Sequence, residues 1–174
     1  MPLTQAISER EIFDALRSAA GEAGVVTDPA DVRAAALDGR GRRQGEALAV
    51  VRPASTEEVS RVLKVAARYG LAVIAQGGNT SNVGGATPEP GAPESLSRRT
   101  LILQLGRMKR ILKLDAVNNT IALEAGVVLQ DAQKAASDAG RLLALSLAAE
   151  GSCQIGGVIA ANAGGVHVLR YGMA

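Results

Sequence analysis

A chain of 174 residues, 47% apolar and with a net charge of +2, can bury one domain or one compact unit of two small lobes, and its charge is too small to argue for nucleic acid. Aromatic residues make up only 2%, so the core has to be built from Ala, Val, Leu and Ile, whose close packing suits helices lying tightly on a sheet. One cysteine, Cys153, excludes an intramolecular disulfide and points to a reducing compartment, taken here as the cytoplasm; the acidic, amphipathic N-terminus has no apolar signal core.

In chain order, Ile7 to Ala20 carries Ile12, Phe13, Leu16 and Ala20 at helical spacing, with Ser8 and Glu11 as a capping box and Gly21 as a stop. Gly24 to Pro29 reads as a connector and Asp31 to Leu37 as a short alanine-rich helix ended by Gly39 and Gly41. A polar loop, Arg40 to Gly45, follows. Ala47 to Val51 is a strand stopped by Pro53. Ser55 and Glu58 then cap a helix whose apolar face is Val59, Val62, Leu63, Ala66 and Ala67, ended by Gly70. The apolar run Leu71 to Ala75 is the next strand, completing a β-α-β unit with its two strands parallel.

At the end of that strand lies Gln76-Gly77-Gly78-Asn79-Thr80-Ser81-Asn82-Val83-Gly84-Gly85, with four glycines in ten residues. A glycine-rich turn exposes backbone N–H groups with no Cβ in the way, and several such groups facing one concavity form an anion nest. Thr80 and Ser81 add hydroxyl donors. The loop matches neither common phosphate fingerprint: no lysine follows the glycines, and the two glycine pairs are separated by a polar insert. A long solvent turn is the bland alternative. Ligands in β-α-β units gather at the carboxyl ends of the strands, which is where this loop sits.

Thr87 to Arg99, with three prolines and Gly91, is an irregular excursion, and Thr100 to Leu105 a third apolar strand. Arg110 to Asp115 and Thr120 to Glu124 flank an Asn-rich turn and read as an antiparallel hairpin, so a second lobe begins near Gly106. Leu129 to Ala139 is a helix closed by Gly140, and Leu142 to Leu147 reads as a strand. Gly151 to Gly165 is the second glycine-rich segment. In it Gly156 and Gly157 start a short helix with bare N–H groups and Gly164 and Gly165 end it; the alternative is tight packing without a ligand. Gly151 to Leu169 lacks charge, but Ser152, Gln154, Asn162, His167 and five glycines exclude a membrane span. The basic clusters Arg40, Arg42, Arg43 and Arg107, Lys109, Arg110, Lys113 read mostly as solvated surface, with phosphate steering as the alternative. His167, the sole histidine, cannot make a metal site or a triad, Cys153 is a buried filler, and Glu150 is a solvated carboxylate beside the motif.

The segments QGGNTSNVGGATP (Gln76 to Pro88) and GSCQIGGVIAANAGG…LRYG (Gly151 to Gly172), with RPASTEEV (Arg52 to Val59), resemble the FAD-binding domain of the vanillyl-alcohol oxidase (PCMH) type. Within it the match is to FAD-linked 2-hydroxy-acid dehydrogenases: D-lactate dehydrogenase, D-2-hydroxyglutarate dehydrogenase and the FAD-linked component of glycolate oxidase. The resemblance runs from about Ala47 to the last residue. It implies an α+β, two-lobed fold: an N-terminal helical segment (1–46), a small parallel β-α-β lobe (47–105) and an incomplete, mainly antiparallel lobe with helices (106–174). It implies FAD at Gln76, Gly77, Gly78, Asn79, Thr80, Ser81, Gly84 and Gly85 around the pyrophosphate, Pro53 at the adenine end, and Gly151, Ser152, Ile155, Gly156, Gly157 and Asn162 along the other surface. Where some relatives attach flavin through a histidine, this chain has Asn79, so binding is expected to be non-covalent.

The resemblance also implies further strands and a substrate-capping domain that this sequence lacks. The expectation is therefore a truncated, inactive portion with no catalytic residue, acting on a small 2-hydroxy acid only with the missing half. A non-catalytic FAD- or ADP-binding module and a ligand-free remnant are the alternatives. Four donors to the pyrophosphate would contribute about 6–12 kcal/mol against an association cost of roughly 4–15 kcal/mol, so weak flavin retention is expected. Uncovered strand edges and apolar surface predict self-association.

Overall fold

The computed structural model describes residues 8–174. Ile7, placed by its spacing in the first helix, lies outside the described residues. Ser8 caps α1 (Glu9–Ala20): its hydroxyl accepts the Glu11 N–H at 3.2 Å while the Glu11 carboxylate accepts the Ser8 N–H at 3.3 Å. A 3-10 turn (Glu22–Gly24) leads into the stretch read as a connector, which holds a two-residue strand, β1 (Val25–Val26). The second helix, α2 (Pro29–Ala35), starts two residues earlier than its alanine spacing implied. Asp28 accepts the N–H groups of Ala30 and Asp31, and Pro29 fills a first-turn position that needs no N–H.

β2 (Ala49–Val51) leads into α3 (Thr56–Tyr69), capped by Ser55, whose hydroxyl accepts the Glu58 N–H. Glu58 reaches back one residue further than a capping box requires, accepting the Ala54 N–H at 2.7 Å. Gly70 closes α3 at φ 62° and β3 (Ala72–Gln76) follows. The irregular excursion contains one helical turn, α4 (Glu94–Ser97), before β4 (Thr100–Gln104). The strands run β1-β2-β4-β3 across the sheet, β1 antiparallel and the rest parallel, so β2 and β3 are parallel as expected but β4 lies between them.

Alternation along these strands divides the core between two faces. Ala49, Val51, Leu101 and Leu103 pack against Ile12 and Leu16 of α1 and Val62 and Ala66 of α3. Val50 and Ile102 face Val32, Ala35 and Ala36 of and just beyond α2. Both faces of the sheet's centre are covered, which is why its strands read as unbroken apolar runs.

β5 (Ile111–Asp115) and β6 (Thr120–Leu123) form the antiparallel hairpin, with a bulge between Ile111 and Lys113. At its base Glu124, 8% exposed, accepts from Arg110 Nη2 at 2.6 Å and from the Arg110 backbone N–H at 2.7 Å. α5 (Leu129–Asp138), α6 (Ile155–Ala160) and the short α7 (Val168–Tyr171) complete the chain. Leu129, Cys153 and Val158 form a third buried cluster with Leu143, Leu145 and Leu147 around it. Residues 142–147 are not the strand their composition implied. Their carbonyls are taken individually: Leu145 O by Gln133 Nε2 at 2.7 Å, Ser146 O by the Val166 N–H at 3.0 Å, and Ala144 O lies 2.9 Å from His167 Nδ1.

Candidate functional site

β2, β4 and β3 all point their carboxyl ends at one region, where Arg52, Gln104 and Gln76 stand side by side. Gln76 is buried, and past it the chain turns through Gly77 and Gly78 to Asn79 at φ 53°, a left-handed conformation that Asn tolerates better than most residues. Asn79 Nδ2 donates to Leu37 O at 2.7 Å, which ties the loop to the segment after α2. Further out, Arg43 lies against Gly84 and makes two 3.1 Å hydrogen bonds to Glu89. The base of that outer contact is Asp38, which accepts the backbone N–H groups of Arg43 (3.0 Å) and Arg42 (2.6 Å); these hold its carboxyl below the usual carboxylate range.

The second glycine-rich segment meets the first directly. A Cβ on Gly78 would stand 1.9 Å from Ser152 O and 3.2 Å from Cys153 Cα, so the two backbones touch where only glycine fits. Beside this seam, a Cβ on Gly77 would lie 3.5 Å from Gln154 Cβ and 4.0 Å from Gly157 Cα. Gly156 is held against Ala125, whose carbonyl accepts the Gly156 N–H at 2.8 Å; this anchors the start of α6.

A cavity of about 530 Å³ opens along the seam. Its lining joins Gln76, Gly77, Gly78 and Asn79 to Gln104, Arg52, Gly106, Arg107 and Gln154, with Asp31, Ala34 and Ala35 of α2 beside them. Gln154 Oε1 is buried there with no hydrogen-bond partner among the described residues. An orphaned buried acceptor asks for a donor from a ligand, such as a sugar hydroxyl or a ring imide N–H. Exposed glycine backbone and two guanidinium side chains along the same walls suit a phosphate. A flavin dinucleotide carries both kinds of group, so the residues present fit it. A cavity of about 570 Å³ lies at the opposite, amino-terminal edge of the sheet, where Arg98 is bound to both Glu9 and Glu94.

The other residues singled out from sequence fall in several places. Thr80 and Ser81 are half-buried further along the loop, Ser81 Oγ accepting the Val83 N–H, and Gly84 and Gly85 form its outer turn. Pro53 is fully buried behind Arg52. Gly151 and Ser152 are exposed at the seam, while Ile155 turns to a separate apolar cavity beside Leu129 and Val158. Asn162, exposed at φ 46°, lies beyond the far end of α6.

Glu150 is not a free solvated carboxylate: it accepts from Gln133 Nε2 and Ser146 Oγ, both at 3.2 Å, bracing the 142–150 segment against α5. Cys153 is buried, and burial pushes its thiol pKa up, which disfavours the thiolate. Among the described residues there is no His, Cys, Asp and Glu group able to hold a metal, and no helix long and apolar enough to cross a membrane. Arg52, Gln104, Arg107 and Gln154 were not singled out as site residues. The available signal was positional: three of them stand at or just past strand ends on the ligand side of the sheet.

Comparison with known proteins agrees with this geometry. The model of the family described as FAD binding domain matches residues 47–174. A bacterial D-2-hydroxyglutarate dehydrogenase, from Xanthomonas citri pv. viticola, is 38% identical over 146 residues, covering 84% of this chain and 29% of that protein. The mitochondrial D-2-hydroxyglutarate dehydrogenase of Bos taurus is 36% identical over 148 residues, covering 85% of this chain and 26% of that protein. The solved structure of an alkyldihydroxyacetonephosphate synthase superposes with a TM-score of 0.81 over 99% of this chain and 33% of its own, at 21% identity, which establishes the fold. The chain thus spans between a quarter and a third of the length of these relatives.

Proposed function

The chain belongs to the FAD binding domain family, and on that premise we propose that it holds FAD non-covalently at the seam between its two glycine-rich segments, as the cofactor-binding part of an enzyme that oxidises a D-2-hydroxy acid to the 2-oxo acid. The observation that carries the reading is the seating of Gly78 on the Ser152 carbonyl, which makes two segments remote in sequence into walls of one cavity.

In this reading the backbone of Gly77, Gly78 and Asn79 takes the pyrophosphate, with Arg52 and Arg107 supplying positive charge nearby. Gln154 Oε1 accepts from a hydroxyl or imide N–H of the ligand and loses its orphan status. The buried sheet behind the loop excludes water from one side of the site. Bound flavin supplies the hydride-accepting chemistry, and the chain supplies orientation and electrostatics. Asn79 offers no nucleophilic nitrogen for attachment, because its side-chain amide is neutral and its Nδ2 is committed to Leu37 O. The proposed location is the cytoplasm, on the strength of the single buried cysteine.

Titration of the 174-residue chain into FAD, followed by quenching of flavin fluorescence, tests the binding. Saturable quenching is expected, with all flavin released to the supernatant on acid precipitation. No saturation at millimolar protein would refute the site, and flavin pelleting with the protein would refute non-covalent binding. Mixing the FAD-loaded chain with the remaining part of a D-2-hydroxyglutarate dehydrogenase and following dye reduction by the D-2-hydroxy acid tests the reaction class.

A further inference from the structure

A line of polar side chains crosses the carboxyl edge of the parallel sheet at right angles to the strands. Arg52 Nε donates to Gln104 Oε1 at 2.8 Å. Gln104 Nε2 donates to Gln76 Oε1 at 2.6 Å. Gln76 Nε2 donates to two carbonyls, Ala35 O at 2.9 Å and Ala86 O at 2.8 Å. Each strand contributes one member: β2 through the residue after it, β4 and β3 through their last residues.

Chemistry at both ends fixes the direction of this line. A guanidinium can only donate, so Gln104 must present its oxygen to Arg52 and therefore its amide to Gln76. Backbone carbonyls can only accept, so Gln76 must present its amide to Ala35 and Ala86 and therefore its oxygen to Gln104. The two requirements agree, and only a side chain that both donates and accepts can stand in the middle. The last link matters most. Ala86 lies at the far end of the glycine loop that Gln76 begins, so the Gln76 side chain closes residues 76–86 into a ring.

We propose that Arg52 is a positioning residue which, through Gln104 and Gln76, sets the closed shape of the glycine loop. The ligand that this shape serves is the one argued above, so the proposal deepens that reading, but the relay is made of this chain's own groups and is measured without added ligand. Arg52 stands in the cavity wall, where Arg107 Nη1 donates to its carbonyl at 2.8 Å. The relay therefore links a cation that lines the cavity to the closure of the glycine loop.

The direct readout is the side-chain amide of Gln76, observed by NMR in the ligand-free chain. Buried and bonded to two carbonyls, its protons exchange slowly with water. Gln104→Glu retains the partner of Arg52 as an ion pair but has no N–H for Gln76. Arg52→Met removes the fixed donor, and Arg52→Lys restores a donor-only cation. Gln76 amide exchange is expected to accelerate on the order of tenfold or more in Gln104→Glu and Arg52→Met, and to stay within about threefold of the parent in Arg52→Lys. The backbone amides of Val50 and Ile102, in the middle of the sheet, are expected to remain unchanged in all three.

An unaltered Gln76 signal in Gln104→Glu would overturn the proposal. So would equal acceleration of the mid-sheet amides, which would show a packing role only, or an Arg52→Lys chain as perturbed as Arg52→Met. Gln104→Met, uncharged and similar in length, is the second variant should Gln104→Glu not fold, with the same outcomes deciding. FAD titration of the parent is separate: absence of binding there overturns the cofactor reading, whereas the Gln76 exchange rates decide the relay.

Discussion

Adding one methyl group at the seam is the sharpest perturbation that this structure offers. In Gly78→Ala the new Cβ would stand 1.9 Å from Ser152 O, where ordinary contact begins at 3.4 Å, so about 1.5 Å of backbone movement is required. The carbonyl cannot give easily. The Ser152 and Cys153 N–H groups are both bonded to Ala149 O, at 2.9 and 2.7 Å, and Cys153 O accepts the Leu129 N–H at 3.0 Å. Overpacking of this kind costs about 1–3 kcal/mol. For a chain of this length each kcal/mol lowers the melting temperature by about 2–4 °C, so a fall of roughly 2–12 °C is expected. Gly157→Ala is the matched comparison. Its Cβ meets nothing within 4 Å and it sits inside α6, where alanine is preferred, so the free chain is expected to gain about 0.4–1 kcal/mol. Calorimetric melting and FAD titration on both variants separate the effects. Gly78→Ala should lose stability and FAD affinity together, while Gly157→Ala should melt higher without that loss of affinity, since its methyl meets nothing within 4 Å and Gly157 is not among the residues that line the cavity. A Gly78→Ala chain that melts and binds like the parent would refute the contact between the segments and the site built on it.

Asn79→Ala loses the bond to Leu37 O and places alanine at a φ of 53°, and is expected to cost about 1–2 kcal/mol in urea unfolding; Asn79→Asp, equally tolerant of the backbone but unable to donate, isolates the hydrogen bond. The Arg110 guanidinium and N–H hold the Glu124 carboxyl below its ordinary value. Its contribution to stability is therefore present above that ordinary value and lost as pH falls through the lowered one. The melting temperature of the parent is expected to drop more steeply than that of Glu124→Gln below about pH 4.5, and parallel curves would refute the pairing. Ile159, Val166 and Leu169 are exposed on and beyond α6, so light scattering is expected to show self-association of the 174-residue chain that Leu169→Glu reduces; a parent that stays monomeric at high concentration would count against it.

Much of the architecture could be read from local signals because those signals are strong here. Ser8 with Glu11 and Ser55 before Glu58 mark two helix starts, and Gly70 and Gly140 mark two stops, each carrying a left-handed φ. The parallel strands are unbroken apolar runs because both faces at the centre of the sheet are buried. Two things could not be read. The insertion of β4 between β2 and β3 is a matter of topology, and neither strand's composition records its neighbour. Residues 142–147 have strand composition, but their carbonyls are claimed by Gln133 and the 165–167 turn, so no ladder forms. At the site, glycine pairs advertised backbone exposure and so drew attention to both segments. Arg52, Gln104 and Gln154 did not stand out, because they acquire meaning only when strand ends and one helix start are placed side by side.

Several supports of the glycine loop lie outside the stretch that matches the family. That match begins at residue 47, yet Leu37 O holds Asn79, Ala35 O holds Gln76, and the backbones of Gly39 and Gly45 lie against Asn79 O and Pro88 O so closely that a Cβ would stand 2.2 and 2.3 Å away. Nearly all of these supports are main-chain atoms. Every residue has a carbonyl, so these hydrogen bonds do not depend on which side chains stand at 35 and 37, whereas glycine is required where the backbones cross. In the proposed reading the loop binds through backbone N–H groups, and two of its own side chains, Gln76 and Asn79, hold its shape by reaching to carbonyls behind it. In this chain the fixing comes from two directions: the segment after α2 on the outside, and the Gln76–Gln104–Arg52 line across the sheet edge on the inside. The surface proposed to face the ligand is thus the exposed side of a loop clamped between two parts of the fold that are remote in sequence.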